Sequence, residues 1–293
     1  MIITSCGNSV KIAKKIAISM KAKYCPLKIS SFPDGELYLR YTHKRVKGQV
    51  VVVVHSFQPN PNKSLSRVVF AAEAAKQLGA KKVILVAPYL GFMRQDKMFN
   101  YGEAVSNGIM AKLLNNSLDR VITVDPHLHR IRSMKDIFKI RAKNLTANKL
   151  IGDYVKKKLK NVAIIGPDWE SYQWAEIVAK EIGCEVSVFR KKRFSSRRVE
   201  EVMVKNIDLK DKNVVIVDDI ISTGHTIIEA AKKVRKLGAK SVTAICVHGL
   251  FVEGAVKKIK KAGVARVLST NCIEHPTNGI DVTSLLVEEL RKR

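Results

Sequence analysis

A segment in the second half of this chain repeats a segment in the first half. The residues at 75–83 (AKQLGAKKV) line up with those at 234–242 (VRKLGAKSV), and the valine run at 50–54 lines up with that at 214–217. In each copy a helical stretch ends at a glycine suited to the left-handed conformation, and a valine-rich run follows. The copies are about 160 residues apart in a chain of 293. We therefore expect two similar domains, at 1–145 and 146–293. They should pack closely, because no linker rich in glycine, serine or proline separates them.

Short apolar runs alternate with helical patterns along both halves. Runs of valine and isoleucine that end in Asp, Pro or His are typical of parallel strands covered on both faces. Helical spacing appears at 65–78, at 226–237 with Thr226 as a candidate N-cap, and at 282–293. The runs that we interpret as strands lie at 1–5, 49–55, 82–89, 120–127, 161–168, 185–189, 213–219 and 241–248. The alternation predicts an α/β fold with two doubly wound domains, each a mostly parallel sheet flanked by helices.

The charge of the chain favours anionic ligands. Lysine and arginine number 53 against 26 acidic residues, a net charge of +27. Such an excess attracts nucleotides, sugar phosphates or nucleic acid. The basic residues are spread along the chain, aromatic residues make up 6%, and no recognisable nucleic-acid-binding motif is present. We therefore expect small phosphorylated ligands ahead of nucleic acid.

The cysteines and the hydropathy pattern indicate a cytoplasmic protein with no membrane segment. The five cysteines form no C-x-x-C pair and are odd in number, which is typical of reduced thiols. No apolar run approaches the roughly 18 residues of a membrane span. The N-terminus lacks the basic and long apolar segments of a signal peptide.

The strongest local signal is the loop that follows the apolar run at 214–217. Asp218 and Asp219 end that run, a short turn follows, and a helix begins. The start of a helix suits a phosphate, because its unpaired N–H groups and its dipole favour an anion. The carboxylates repel phosphate but can accept hydrogen bonds from sugar hydroxyls or hold a cation. The candidate sugar-phosphate residues are Asp218, Asp219, Ser222, Thr223, Gly224, His225 and Thr226.

A purely structural interpretation of this loop is possible, in which the acids begin a turn and Thr226 caps a helix. The first-half copy argues against it. At the equivalent place that copy has HSFQPNPN at 55–62, without acids and without a Thr-Gly turn. The sugar-phosphate site is therefore expected in the second half only.

Further motifs accompany this loop in a fixed order. They are FPDGE at 32–36, PYLGFMRQDKMF at 88–99, YGEA at 101–104, DPH at 125–127, PD at 167–168 and KKR at 191–193. Together with the loop DDIISTGHT at 218–226, they resemble the motifs of ribose-phosphate diphosphokinases, which have a type I phosphoribosyltransferase-like fold. The resemblance covers essentially the whole chain. It implies transfer of a diphosphoryl group from ATP to ribose 5-phosphate, a need for Mg²⁺, and a homo-oligomer of two or more chains.

The resemblance also implies a role for each motif, and side-chain chemistry agrees with most of these roles. Arginine binds phosphate in a bidentate manner and an aromatic ring stacks on adenine. The residues expected to bind ATP are Phe32, Asp34, Gly35, Glu36, Arg94, Gln95 and Asp96. His127 and Asp168 are the candidate metal ligands. Lys191 and Arg193 are the candidate catalytic residues, as cations that stabilise the transferring group.

Two departures from the family pattern keep other functions open. Trp169, Glu170 and Ser171 stand where small glycine-rich residues are usual, and His225 stands where a glycine is usual. The alternatives are a non-catalytic or regulatory relative that binds nucleotides, a phosphoribosyltransferase and, on charge alone, a nucleic-acid-binding protein. The chain has neither a P-loop nor a G-x-G-x-x-G motif, which disfavours a P-loop kinase and a dinucleotide dehydrogenase.

Overall fold

Strands and helices alternate along much of the computed structural model. It describes the backbone of residues 1–128, 130–193 and 199–292, and the side chains of these residues except 191–202. The strands are β1 (Ile2–Ser5), β2 (Lys23–Tyr24), β3 (Leu27–Ser31), β4 (Leu37–Tyr41), β5 (Val50–Val54), β6 (Lys82–Ala87), β7 (Arg120–Val124), β8 (Arg141–Leu145), β9 (Val162–Gly166), β10 (Glu185–Arg193), β11 (Val199–Met203), β12 (Asn213–Ile221), β13 (Ser241–Gly249), β14 (Arg266–Thr270) and β15 (Asn278–Ile280). The α-helices are α1 (Val10–Ser19), α2 (Pro61–Gln77), α3 (Ser106–Ser117), α4 (Asn148–Lys158), α5 (Tyr172–Ile182), α6 (His225–Lys236), α7 (Ala255–Lys261) and α8 (Thr283–Arg291).

The described chain divides into two compact units. Unit 1 comprises Met1–Thr146, Cys272–Glu274 and Val282–Arg293, and unit 2 comprises Ala147–Asn271 and His275–Asp281. The predicted boundary near residue 145 stays a prediction. Helix α8 groups with unit 1, although it belongs to the second half of the sequence.

Unit 1 is built on a parallel sheet with the strand order β2-β1-β5-β6-β7-β8. The valine run of β5 is buried on both faces, as a sheet between two helical layers requires. The separate hairpin β3-β4 is antiparallel. A buried ion pair between Arg120 of β7 and Glu289 of α8 ties the last helix to this sheet.

Unit 2 has a seven-stranded sheet with the order β11-β10-β9-β12-β13-β14-β15. Among the described strand pairs of this sheet, only the β10-β11 pair is antiparallel. Ile216 of β12, Ala231 of α6 and Ile259 of α7 lie in one apolar core. The predicted fold class is confirmed.

The two copies of the repeat end their helices in the same way. Gly79 and Gly238 have φ angles of 79° and 85°. The following amides make equivalent hydrogen bonds, from Ala80 N to Ala75 O at 3.0 Å and from Ala239 N to Val234 O at 3.1 Å. The prediction of a left-handed glycine after each helix is confirmed. The prediction that Thr226 caps α6 was wrong, because the N-cap is Gly224 in the left-handed conformation and Thr226 lies inside the first turn.

No helix of the described residues is long and apolar enough to cross a membrane.

Candidate functional site

The end of strand β12 carries two adjacent carboxylates. Asp219 is 4% exposed, whereas Asp218 is partly open to solvent. Asp218 Oδ1 accepts a hydrogen bond from Asp219 N at 3.0 Å, and Asp219 Oδ1 accepts one from Ile220 N at 2.7 Å. Each of these two carboxylate oxygens is thus held by the backbone in a fixed orientation at the C-terminal end of the sheet, where ligands of this fold class bind.

Negative charge accumulates at this point. Burial, and then the neighbouring charges of Asp219 and Asp168, raise the pKa of Asp218 well above its ordinary value. The three carboxylates are therefore close enough to repel one another. A cation, or hydroxyl groups that donate hydrogen bonds, would relieve that repulsion.

The turn after β12 leads into the start of helix α6. Gly224 has a φ of 80°, and a Cβ placed on it would lie 2.7 Å from Cδ1 of Ile259. Both its backbone angle and its close packing therefore require glycine. No side chain of the described residues caps the helix, so the first N–H groups of α6 are placed to bind an anion. We call residues 222–226 the phosphate loop.

A second turn beside the phosphate loop follows β9. Asp168 Oδ1 accepts a hydrogen bond from Ser171 N at 3.0 Å, and Ser171 Oγ donates to Asp168 O at 2.7 Å. One carboxylate oxygen of Asp168 thus accepts a hydrogen bond at the start of α5, and the other carboxylate oxygen is left for a ligand. Ser171 Oγ also lies 2.8 Å from the position of a Cβ on Gly166, so this serine fills the space that a glycine-rich turn would leave.

Residues of both departures from the family pattern, namely Trp169, Glu170 and His225, line one cavity of about 420 Å³, which is also lined by Asp168 and Thr226. Trp169 is 52% exposed and stacks on Tyr172 with 5.7 Å between ring centroids. The guanidinium of Arg190 lies 5.4 Å from the centroid of Trp169. His225 lies across the cavity at the start of α6. The structure thus brings together two residues, Trp169 and His225, that are far apart in the sequence.

The FPDGE motif forms the tip of the β3-β4 hairpin in unit 1. Phe32 N donates to Glu36 O at 2.8 Å, Glu36 N donates to Asp34 Oδ1 at 3.1 Å, and Gly35 takes a φ of 94°. Phe32 is 50% exposed and contacts Tyr38 edge to face, with 5.6 Å between centroids. An exposed aromatic ring held by a tight turn can stack on a base.

The loop between β6 and α3 contains Arg94, Gln95 and Asp96, and Glu103 holds it together. The Glu103 carboxylate accepts from Phe99 N at 2.8 Å, from Asn100 Nδ2 at 2.6 Å and from Gln95 Nε2 at 3.0 Å. The hydrogen bonds from Asn100 and Phe99 lower the pKa of Glu103 to about 2. Arg94 is exposed beside this network.

Asp96 has a different environment from Arg94. Its side chain is 4% exposed and lies 3.3 Å from Nη1 of Arg130. Arg130 also lies over the ring of Phe99, 5.3 Å from its centroid. Sequence reasoning did not single out Glu103 or Arg130 as site residues. The presence of Glu103 in the YGEA motif was the available signal, whereas no local pattern points to Arg130.

The remaining predicted residues fall in separate places. His127 lies in unit 1, in the loop after β7, and is partly buried. Lys191 and Arg193 belong to strand β10 by their backbone, but their side chains lie outside the described residues. The structure therefore does not test their catalytic role.

The donor atoms at the end of β12 suit Mg²⁺. They are carboxylate oxygens, the hard ligands that this ion prefers, and it usually binds one or two protein groups with substrate phosphates and water. Within the described ranges no group of three or more His, Cys, Asp or Glu residues has the arrangement of a complete metal site. The two carboxylates thus fit Mg²⁺ as protein ligands.

Taken together, the parallel sheet, the acid pair and the uncapped loop at the start of α6 define a phosphoribosyltransferase-like protein. A family model described as "Phosphoribosyl transferase domain" matches residues 133–285. A second, described as "N-terminal domain of ribose phosphate pyrophosphokinase", matches residues 1–117. The chain belongs to the ribose-phosphate pyrophosphokinase family, another name for the ribose-phosphate diphosphokinases.

Relatives match the chain from end to end. A ribose-phosphate pyrophosphokinase of Methanothermobacter thermautotrophicus is 37% identical over 290 residues, 99% of each chain. Ribose-phosphate pyrophosphokinase 2 of Archaeoglobus fulgidus is also 37% identical, over 99% of this chain and 100% of its own. The crystal structure of the phosphoribosylpyrophosphate synthetase of Mycobacterium smegmatis matches with a TM-score of 0.87 at 25% identity, over 99% of this chain and 97% of that one.

Proposed function

We propose that this chain transfers the diphosphoryl group of ATP to the C1 hydroxyl of ribose 5-phosphate, which gives 5-phosphoribosyl 1-diphosphate and AMP. The C1 oxygen bonds to the β-phosphorus, and the bond from the β-phosphorus to the oxygen that bridges it to the α-phosphorus breaks. AMP leaves with that oxygen, and the hydroxyl proton passes to solvent. The supporting observation is the acid pair beside an uncapped helix start, in a chain aligned over 99% of its length with relatives named for this activity.

The sugar phosphate occupies the loop of unit 2. Asp218 and Asp219 accept hydrogen bonds from ribose hydroxyls, since their oxygens are already oriented by the backbone. Ser222, Thr223, Gly224, His225 and Thr226 surround the 5-phosphate with N–H and hydroxyl donors. This arrangement fixes the sugar, and positioning is a large part of phosphoryl-transfer catalysis.

The nucleotide binds the motifs of unit 1. Phe32 stacks on adenine, while Asp34, Gly35 and Glu36 at the hairpin tip contact the nucleoside. Arg94 and Gln95 bind the phosphates and ribose from the loop that Glu103 braces. Asp96 belongs to the same ATP-binding loop, and its ion pair with Arg130 keeps that loop in place.

Cations complete the proposed chemistry. His127 and Asp168 are the proposed metal ligands, and Lys191 and Arg193 the proposed catalytic cations on strand β10. Mg²⁺, when bound, offsets the negative charge of the transferred diphosphoryl group.

The active form is proposed to be a homo-oligomer of two or more chains in the cytoplasm, with ATP and ribose 5-phosphate as its small-molecule partners. All five cysteines are free in the structure, which suits a reducing compartment.

A direct test is AMP formation from ATP in the presence of ribose 5-phosphate and Mg²⁺. The double variant Asp218→Asn, Asp219→Asn keeps the shape of both side chains and removes both charges. The control Asp208→Asn, Asp211→Asn makes the same change at two exposed positions that precede β12. AMP formation by the wild type and the control, with a loss of at least 100-fold in the first variant, supports the proposal. Wild-type protein that binds nucleotide but forms no AMP would instead identify a non-catalytic relative.

A further inference from the structure

Strand β10 extends beyond its inner neighbour in the sheet of unit 2. In the described backbone, its pairing with β9 ends at Val188, opposite Gly166, whereas its pairing with β11 continues from Phe189 to Arg193. This outer part is a two-stranded ribbon of residues 189–193 and 199–203, which we call the β10-β11 ribbon. Two paired strands by themselves are only marginally stable in water. The position of the ribbon therefore depends on contacts that its base makes with the rest of unit 2.

The indole ring of Trp169 makes one such contact. The guanidinium carbon of Arg190 lies 5.4 Å from the centroid of this ring. Arg190 belongs to the base of the ribbon, where it pairs with Val202 of β11. A cation within about 6 Å of an aromatic centroid is attracted by the π electrons, and tryptophan gives the strongest attraction. The contact therefore joins the ribbon to the turn that follows β9.

The turn that carries Trp169 is itself held in place. The planes of the Trp169 and Tyr172 rings are within 2° of parallel, and Tyr172 N donates to Trp169 O at 3.3 Å. Asp168 and Ser171 close the same turn through their mutual hydrogen bonds. Tyr172 begins helix α5, which packs against β9 and buries Trp174. The indole is thus oriented by its own turn and helix before Arg190 contacts it.

The residue before Arg190 makes a contact of the same kind on another element. Phe189 is 4% exposed and belongs to the apolar core that includes α6. Nζ of Lys233, in α6, lies 5.1 Å from the centroid of the Phe189 ring. The base of the ribbon is thus attached both to the turn after β9 and to the helix that begins at the phosphate loop. These two elements also line the cavity beside Asp168.

We propose that Trp169 is a positioning residue, which anchors the base of the β10-β11 ribbon through Arg190 and so places Lys191 and Arg193 for the transfer of the diphosphoryl group. Lys191 follows Arg190 directly in β10, so a shift of the Arg190 backbone moves it as well. The small residues that are usual in the family at position 169 offer no ring for this contact. The anchoring does not depend on the proposed function, whereas its consequence for catalysis rests on it.

Hydrogen–deuterium exchange of the full-length protein, followed by mass spectrometry, tests the anchoring. Trp169→Leu removes the aromatic face, and Trp169→Phe keeps a flat ring. Tyr24→Leu is the control, because it removes the ring of a similar contact in unit 1, 5.8 Å from Nζ of Lys14. We expect the ribbon amides to exchange about two to five times faster in Trp169→Leu, less so in Trp169→Phe, and at the wild-type rate in the control. Equal ribbon exchange in Trp169→Leu and the wild type would overturn the proposal.

The kinetics of AMP formation test the consequence for catalysis. Trp169→Leu and Arg190→Gln should each lower kcat by a similar factor of about two to five, and the double variant should be no slower than either one. The KM values for ATP and ribose 5-phosphate should stay the same, and Trp169→Phe should restore most of kcat. Losses that multiply in the double variant would show that the two residues act separately and would refute the pairing.

The two readouts together distinguish anchoring from other roles of Trp169. A lower kcat with unchanged ribbon exchange, or a raised KM for one substrate, would assign Trp169 to substrate contact and refute the positioning role. Faster ribbon exchange with an unchanged kcat would refute the catalytic consequence. If the wild type forms no AMP, the proposed function fails, while the exchange rates still decide whether Trp169 anchors the ribbon.

Discussion

Gly224 of the phosphate loop and Ile259 of helix α7 are in contact so close that no side chain fits between them. A Cβ on Gly224 would lie 2.7 Å from Cδ1 and 2.9 Å from Cγ1 of Ile259. The loop that is proposed to hold the sugar phosphate therefore rests on the hydrophobic core of unit 2. This contact supports the loop from below its backbone, and firm support is what an anion site without a side-chain cap needs.

The substitution Gly224→Ala should weaken both folding and sugar-phosphate binding. Alanine is strained at a φ of 80° and its Cβ collides with Ile259, so we expect a loss of about 1–3 kcal/mol in the free energy of unfolding and a higher KM for ribose 5-phosphate. Gly183 is the control, because it has a φ of 78° with no atom within 4 Å of the added Cβ. Urea unfolding and steady-state kinetics measure the two effects. If the KM for ribose 5-phosphate rises equally in Gly183→Ala, the contact with Ile259 does not explain the effect at Gly224.

The substitution Glu103→Gln should weaken ATP binding without affecting the sugar. Glutamine retains one acceptor oxygen where the carboxylate uses two, so the hydrogen bonds to Phe99, Asn100 and Gln95 cannot all persist. We expect the KM for ATP to rise roughly tenfold and the KM for ribose 5-phosphate to stay the same. Glu73→Gln, at a surface pair with Lys76, is the control. A rise in both KM values would show that Glu103 acts on the whole fold.

His55 should make the protein less stable in acid. It is fully buried, and neither ring nitrogen has a hydrogen-bond partner among the described residues. Burial, together with the positive charge of Arg67, lowers its pKa to about 3. In the unfolded chain the pKa returns to about 6.5. Between these values the unfolded state binds more protons, so the free energy of unfolding falls by up to about 1.4 kcal/mol for each pH unit below 6.5.

Urea unfolding of the wild type and of His55→Asn at pH 7, 6, 5 and 4 checks this expectation. The slope of stability against pH should be smaller in the variant, and a comparison of slopes remains valid if the variant is less stable overall. His43→Asn, in a partly buried loop position, is the control. Equal slopes in the wild type and His55→Asn would show that His55 does not cause the loss of stability in acid.

The five thiols should differ in reactivity. Cys184 is partly exposed, whereas Cys6, Cys25, Cys246 and Cys272 are buried. Burial, partly offset by Arg67, raises the pKa of Cys6 to about 12, so only about one Cys6 thiol in ten thousand is ionised at pH 8. We expect iodoacetamide at pH 8 to modify Cys184 slowly in the native protein and all five after unfolding. Peptide mapping measures the modification of each cysteine. If Cys6 in the native protein is modified as fast as Cys184, Cys6 is not buried as described.

The apolar inner strands were predictable because each depends on a local pattern, whereas the parallel strands β2, β8, β14 and β15 were not predicted. A strand buried on both faces needs a continuous apolar run, and the runs around 51, 85, 122, 164, 216 and 244 have no competing helical period. The glycines after α2 and α6 were predictable for a similar reason, since a helix that ends before a strand needs a left-handed residue. Each of these features is determined by residues that are close to it in the sequence.

The parts that sequence did not predict depend on distant neighbours. Thr226 looked like an N-cap, but the turn that contains Gly224 places the helix start two residues earlier. Trp169 and His225 were recognised as separate departures, and only the fold brings them to one cavity. The ion pair of Asp96 with Arg130 likewise joins two loops at the ends of different strands.

The products formed from ATP test the central claim most directly. Phosphorus NMR of a reaction with ATP, ribose 5-phosphate and Mg²⁺ should show AMP and a sugar carrying both a diphosphate ester and a 5-phosphate, in equal amounts. Formation of ADP with a singly transferred phosphate, or of AMP without a diphosphorylated sugar, would contradict the account.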